Sequence, residues 1–434
     1  MSAFNILPEN VIEYLNKFSS SKWKLDKEDD KLFENIIVIP SLAEFGRISI
    51  CLNSLEKNDP KFLEKTLVIV VINNAETAEH DLIKNNFATK ELLRNYSGRL
   101  NLNYVDAFSS GKSIPKKLAG VGFARKIGLD LALTKFNYDS ASKKILLWLD
   151  ADCEVAENYL SIITDKFNNH NFNSAVIEYE HKIEDHRPEA KAIVCYETFL
   201  RYFRLALIYS KSHYDYHAIG STIVCDVDSY IKAGGMNSKQ AGEDFYFLEK
   251  LAKQNKVGTI KETLVYPSAR KSWRVPFGTG QRINRFLKNI QDEYLVYNQQ
   301  TFELLKIWLE FFNNESSIDS KEILIQAKEI NSHLYSFLIE QNFEDSWNKI
   351  LKNSDSSEEI RKQKIYWFDA FRTLKLIHYL RDRIYPNTNV YDAFDYLSKK
   401  MNFNFEYDKE QLKKDYQMQK QFLIYLRNYF RNNL

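Results

Sequence analysis

The sequence lacks any pair of cysteines at the two-residue separation used by zinc ribbons and dithiol redox centres. Its four cysteines, Cys51, Cys153, Cys195 and Cys225, stand far apart and read as reduced, partly buried thiols of a cytoplasmic protein. It lacks a charge of one sign, because 60 basic and 58 acidic side chains leave a formal +2. That balance argues against nucleic acid as a partner. It lacks an apolar run approaching the ~20 residues of a membrane span, and its first residues show no basic-then-apolar leader. The expectation is a cytoplasmic chain with no transmembrane segment, for which peripheral contact at the inner membrane stays open. Glycine and proline are scarce, 13 and 8, so no low-complexity linker marks a boundary.

What is abundant is aromatic and alternating. There are 26 Tyr and 29 Phe, and the richness in Lys, Asn, Ile and Phe fits an AT-rich bacterial genome. A chain of 434 residues predicts one large domain and a second region. Residues 1–32 read as a polar helical extension. From residue 33, short β-branched runs alternate with helical spacing: Ile36 to Pro40, Leu67 to Ile72, Leu100 to Val105, Ile145 to Leu149 and Ser174 to Glu180. Such alternation predicts an α/β fold, a mostly parallel sheet with helices on both faces. Residues 189–211 read as an aromatic-rich helix. Beyond about residue 285 apolar residues recur every three or four positions, as in Leu304, Leu305, Trp308, Leu309 and Phe312, so 286–434 is expected to be an all-helical region.

Four motifs carry chemistry. The run Leu146-Leu147-Trp148-Leu149 ends in Asp150-Ala151-Asp152, as a buried strand does when it delivers carboxylates to the edge of a sheet. Two carboxylates at that spacing suit a hard divalent cation, although a strand-end cap would look the same. Gly120-Val121-Gly122 opens a helix that contains Arg125. Ala233-Gly234-Gly235 is a tight turn, followed by Gly242-Glu243-Asp244, where an acidic pair begins a helix. Arg270, Lys271, Arg274, Arg282 and Arg285 form a glycine-flanked cationic stretch suited to phosphate oxygens, or to solvent.

In order and spacing these motifs resemble family 2 glycosyltransferases of the GT-A, nucleotide-diphospho-sugar transferase, fold, over roughly residues 34–285. Ile39-Pro40-Ser41-Leu42-Ala43-Glu44 is similar to the family's first strand and acidic loop. Asn73 stands where the family carries an aspartate that contacts nucleobase or ribose. Arg125 matches an Ala-Arg position, with Lys126 in place of the usual Asn. The resemblance implies that Asp150 and Asp152 hold Mn²⁺ or Mg²⁺, and that Pro40, Glu44, Asn73, Arg125 and Ala151 line the donor; Gly220 is added as a residue that lets the donor sugar come close. Arg274 and Arg282 are added from charge and position, on the leaving phosphates. It further implies that Asp244 is the catalytic base of an inverting transfer from a UDP- or GDP-sugar to a glycan, lipid-linked or small-molecule hydroxyl, in surface glycan or glycoconjugate synthesis. The processive Gln-x-x-Arg-Trp motif is absent from Gln281-Arg282-Ile283-Asn284-Arg285. Two other readings stand beside it: a nucleotidyltransferase of related fold, and an inactive scaffold that binds partners through its helices.

Overall fold

Fully buried runs of β-branched residues make the first two strands, β1 (Asn35–Ser41) and β2 (Thr66–Asn73). A strand apolar on both sides has to be covered on both faces, and helices of the same unit supply the cover. The computed structural model describes residues 7–237, 242–271, 278–314, 319–403 and 406–434. In chain order, α1 (Glu9–Phe18), β1, α2 (Phe45–Glu56), α3 (Pro60–Leu63), β2, α4 (His80–Arg94), β3 (Asn101–Ala107) and α5 (Val121–Ala132) come first. They are followed by β4 (Ile145–Trp148), β5 (Glu154–Val155), α6 (Tyr159–Asn169), β6 (Ser174–Tyr179) and α7 (Glu189–Tyr209). Then come β7 (Ile223–Asp226), α8 (Val227–Lys232), α9 (Glu243–Gln254) and β8 (Gly258–Tyr266).

The eight strands form one sheet in the order β3-β2-β1-β4-β7-β6-β8-β5. Pairing is parallel across β3, β2, β1 and β4, with Ile36 opposite both Leu67 and Leu146. The α/β class and the mostly parallel sheet expected from the sequence are what the structure has. Its mixed part is β7, antiparallel to both β4 and β6, and the short β5, antiparallel to β8. The chain runs outward from β1 to β3 and then returns to β4 on the other side of β1. That reversal makes a switch point at the carboxyl ends of β1 and β4, where open α/β sheets hold ligands.

Helix α5 lies close on β1 and β2 because residue 128 is glycine. A Cβ there would stand 2.4 Å from a methyl of Val38 and 2.8 Å from one of Val71. The N-terminal extension is part of this unit. Asp26 N–H donates to the Tyr104 carbonyl at 2.9 Å, and the Tyr14 hydroxyl donates to buried Asp130 at 2.9 Å. The Gly234-Gly235 turn serves that packing. Both residues have φ of 71°, and a Cβ on Gly235 would lie 1.8 Å from the Tyr14 oxygen.

One compact unit comprises Met1–Lys182 and Ala218–Gln281, the other Ile183–His217 and Arg282–Leu434. The chain crosses between them three times, after Lys182, His217 and Gln281, so 183–217 groups with the helical part. Within that second unit α7 packs with α11 (Gln299–Asn314), α17 (Val390–Met401) and α19 (Tyr416–Asn433), after α10 (Thr279–Leu287), α12 (Ser320–Ile330), α13 (Ser332–Glu340), α14 (Phe343–Lys352), α15 (Ser357–Trp367), α16 (Ala370–Arg383) and α18 (Lys409–Leu412) complete the count. Buried Glu197 on α7 binds Arg201 at 2.9 Å and Arg427 on α19 at 2.6 Å. Aromatic stacking fills the rest, with Trp308 on Phe312 at 4.8 Å and Phe343 on Trp347 at 5.8 Å. A two-residue antiparallel pair, β9 (Leu295–Val296) with β10 (Thr388–Asn389), interrupts the helices. Among the described residues no helix is long and apolar enough to cross a membrane.

Candidate functional site

Three chain segments reach the switch point from strands. Leu42-Ala43-Glu44 follows β1, and it is held by the Ala43 N–H donating to Asn86 Oδ1 at 2.9 Å. Asn73 ends β2. Its carbonyl accepts from Asn86 Nδ2 at 3.1 Å, while its own buried Oδ1 has no hydrogen-bond partner among the described residues. Asp150-Ala151-Asp152 follows β4, with the Cys153 N–H closing a turn on the Asp150 carbonyl at 3.0 Å. Ala151 is buried between the two acids, and Pro40 is buried in β1 opposite Val71.

Two arginines organise the acids. Arg125, on α5, puts one guanidinium nitrogen 2.5 Å from Asp150 Oδ1 and another 2.6 Å from Glu243 Oε1. Its side chain is 3% exposed. Burial opposes its charge, yet Asp150 and Glu243 hold the guanidinium above the ordinary arginine range. Gly220 permits this placement, since a Cβ there would lie 2.7 and 2.8 Å from the Arg125 terminal nitrogens. The atoms that Gly220 makes room for in the structure are thus those of Arg125. The second arginine is Arg270, beyond the end of β8. Its Nε donates to Asp152 Oδ2 at 2.6 Å, and a terminal nitrogen donates to Glu44 Oε1. Burial opposes its charge too, and Asp152 and Glu44 raise it.

The acidic pair at the start of α9 divides its work. Gly242, in the left-handed region at φ 71°, turns the chain into the helix. Glu243 points inward to Arg125 and is 4% exposed. Burial pushes its carboxyl up to about 7 against the pull of Arg125, with the Asp244 charge adding to the rise. Asp244 is half-buried and accepts from the Phe245 N–H at 2.8 Å. Burial raises its carboxyl as well, again opposed by Arg125. Among the described residues no cation forms an ion pair with Asp244. Burial that raises a carboxylate's pKa makes it a stronger base, the direction a proton acceptor needs.

Of the residues singled out in the sequence, Glu44, Arg125, Asp150, Asp152, Gly220 and Asp244 meet around these two arginines in one unit. Arg274 lies outside the described residues. Arg282 belongs to the helical unit, where it pairs with Glu293 and its guanidinium sits 4.2 Å from the Phe199 ring centre. Sequence reasoning missed two partnerships, Glu243 with Arg125 and Arg270 with Glu44. They join positions 118 and 226 residues apart, which no spacing rule reaches.

The donor types suit a hard cation. Asp150 and Asp152 supply carboxylate oxygens, each also engaged by an arginine. Among the described residues no group of three His, Cys, Asp or Glu forms a ready cage. Two carboxylates at a sheet edge fit Mg²⁺ or Mn²⁺ when phosphate oxygens and water complete the shell. Asp150 and Asp152 would hold such an ion together with a bound diphosphate.

No family model matches the chain, and no curated protein matches it. Among solved structures it is similar to S. aureus TarS 1-349, at 15% identity over 87% of this chain and 94% of that one, TM-score 0.37. The same protein in complex with UDP-GlcNAc matches at 16% identity over 87% and 94%, TM-score 0.39. The mannosyltransferase PcManGT from Pyrobaculum calidifontis, in complex with GDP-Man and Mn²⁺, matches at 11% identity over 96% and 90%, TM-score 0.38.

Proposed function

We propose that this protein is a glycosyltransferase of the GT-A, family 2-like type. It would move a sugar from a nucleotide-diphosphate donor, a UDP- or GDP-sugar, to an acceptor hydroxyl in cytoplasmic synthesis of a surface glycan or glycoconjugate. The observation that carries the reading is the meeting of Asp150, Asp152 and the Glu243-Asp244 pair at the sheet's switch point, with Arg125 bridging Asp150 to Glu243.

Each residue then has a task. Asn73 presents a buried, unpartnered acceptor to which the imino N–H of a uracil or guanine could donate. Arg125 locks the Asp150 rotamer and holds Glu243 inward, which leaves the neighbouring Asp244 as the carboxylate of the pair assigned to the acceptor. Asp150 and Asp152 would hold Mn²⁺ or Mg²⁺, which when bound supplies positive charge against the diphosphate as it leaves. Asp244 takes the proton of the acceptor hydroxyl as that oxygen attacks the anomeric carbon. Attack from the face opposite the leaving nucleoside diphosphate makes the transfer inverting. Arg274, in the same cationic stretch as Arg270, is assigned to the leaving phosphates on charge alone.

The test is a panel of UDP-, GDP- and dTDP-sugars with Mn²⁺ or Mg²⁺, read first by thermal shift, because a bound donor stabilises the native state by mass action. The expected result is a rise in melting temperature with one nucleotide class, and slow release of nucleoside diphosphate on incubation. Release of pyrophosphate from a nucleoside triphosphate would point to a nucleotidyltransferase. No shift with any donor contradicts the proposal.

A further inference from the structure

The two arginines at the site are not equivalent. Arg125 is sealed: its side chain is 3% exposed, it has two carboxylate partners, and it lies against the Cα of Gly220 inside helix-on-sheet packing. Arg270 follows β8 by a few residues in a segment without regular structure, and its side chain is 24% exposed. It nevertheless takes two carboxylates from two different strand ends, Asp152 after β4 and Glu44 after β1. Both are largely shielded from water, at 17% and 6% side-chain exposure, so their attraction to a guanidinium is only weakly screened. A divalent ion at Asp152 would stand within a few ångströms of that guanidinium and repel it.

We infer that Arg270 is a resident counter-ion of Asp152, bridging it to Glu44 in the free chain, and that it must release Asp152 before a divalent cation is held there. The inference rests on the reading of Asp150 and Asp152 as metal-holding carboxylates. It makes metal affinity without donor weak by the cost of opening the clasp, and it leaves that affinity to rise when a nucleotide diphosphate offers the guanidinium other oxygens. Asp150 keeps its partner throughout, so the two acids of the pair differ in role: one fixed, one exchangeable.

The test uses Mn²⁺ alone on the full chain without nucleotide, with free Mn²⁺ followed by electron paramagnetic resonance. Arg270→Gln is expected to bind Mn²⁺ at least about tenfold more tightly than the wild type. Arg270→Lys retains the charge but cannot span both acids, and is expected to give a smaller gain of the same sign. Adding Asp152→Asn to Arg270→Gln is expected to remove the gain. Circular dichroism establishes that each variant is folded, and Arg270→Lys decides alone if Arg270→Gln is not. Equal or weaker Mn²⁺ affinity in the folded variants, including no binding by any of them, overturns the inference. Donor binding and nucleoside diphosphate release are measured separately on the wild type, so failure of the transferase reading shows there and not in the Mn²⁺ comparison.

Discussion

At Glu243, burial and the Arg125 guanidinium pull in opposite directions, and burial prevails, taking the carboxyl from 4.5 to about 7. The folded chain then binds a proton that the unfolded chain has released across that interval. Stability associated with this group is therefore fully present below about pH 4.5 and is lost as pH rises towards 7. A Glu243→Gln variant keeps the shape and a hydrogen-bond acceptor for Arg125 without the titration. Its unfolding free energy is expected to fall less between about pH 5 and 8 than the wild type's, by an amount on the order of 2 kcal/mol. Urea denaturation at several pH values measures this, and parallel profiles would show that Glu243 stays ionised in the fold. The single residue was visible in the sequence as half of an acidic pair opening a helix. Its inward direction was not, because helix phase alone does not say which of two adjacent acids meets an arginine 118 residues away.

The elements that place the site were more legible than the site's internal contacts. Strands β1, β2 and β4 are short aliphatic runs buried along their whole length, so their residues admit little else. The antiparallel β7 and β5 were not readable as such, since their neighbours in the sheet come from distant parts of the chain. Helix α5 shows how an element transmits a small-residue requirement. Gly128 lets it sit on Val38 and Val71, and Arg125 lies one turn earlier on the same helix. Gly128→Ala would gain helix propensity worth about 1 kcal/mol. It would also press a methyl into two fully buried valines, and overpacking of that kind costs about 1–3 kcal/mol. The expected outcome is lower stability together with weaker donor binding, because the helix must lift and carry Arg125 from Asp150. Denaturant midpoints and a donor titration check it. An unchanged midpoint with unchanged donor affinity would mean the contact relaxes freely.

Across the whole molecule, the chain passes between the α/β part and the helical part three times, after Lys182, His217 and Gln281. The first two crossings were hidden, because α7 follows the sheet in sequence but its buried Glu197 finds Arg427 230 residues later. The Gly-Gly turn, close in sequence to the acidic pair, accommodates Tyr14 instead of the site, a contact between the N-terminal extension and a turn more than 200 residues on. What local reading supplied was the strand-end acids, the arginine on a helix before them and the acidic pair after them. What folding added was their convergence on two guanidiniums. The central claim is that Asp244 is the base of a sugar transfer to which Asp150 and Asp152 bring the donor. The most direct measurement compares wild type and Asp244→Asn for donor binding by calorimetry and for nucleoside diphosphate release with acceptor present. Removing a positioned base is expected to cut turnover by roughly 10²–10⁴-fold, with donor affinity unchanged within about threefold. Near-wild-type turnover in a folded Asp244→Asn variant would contradict the account.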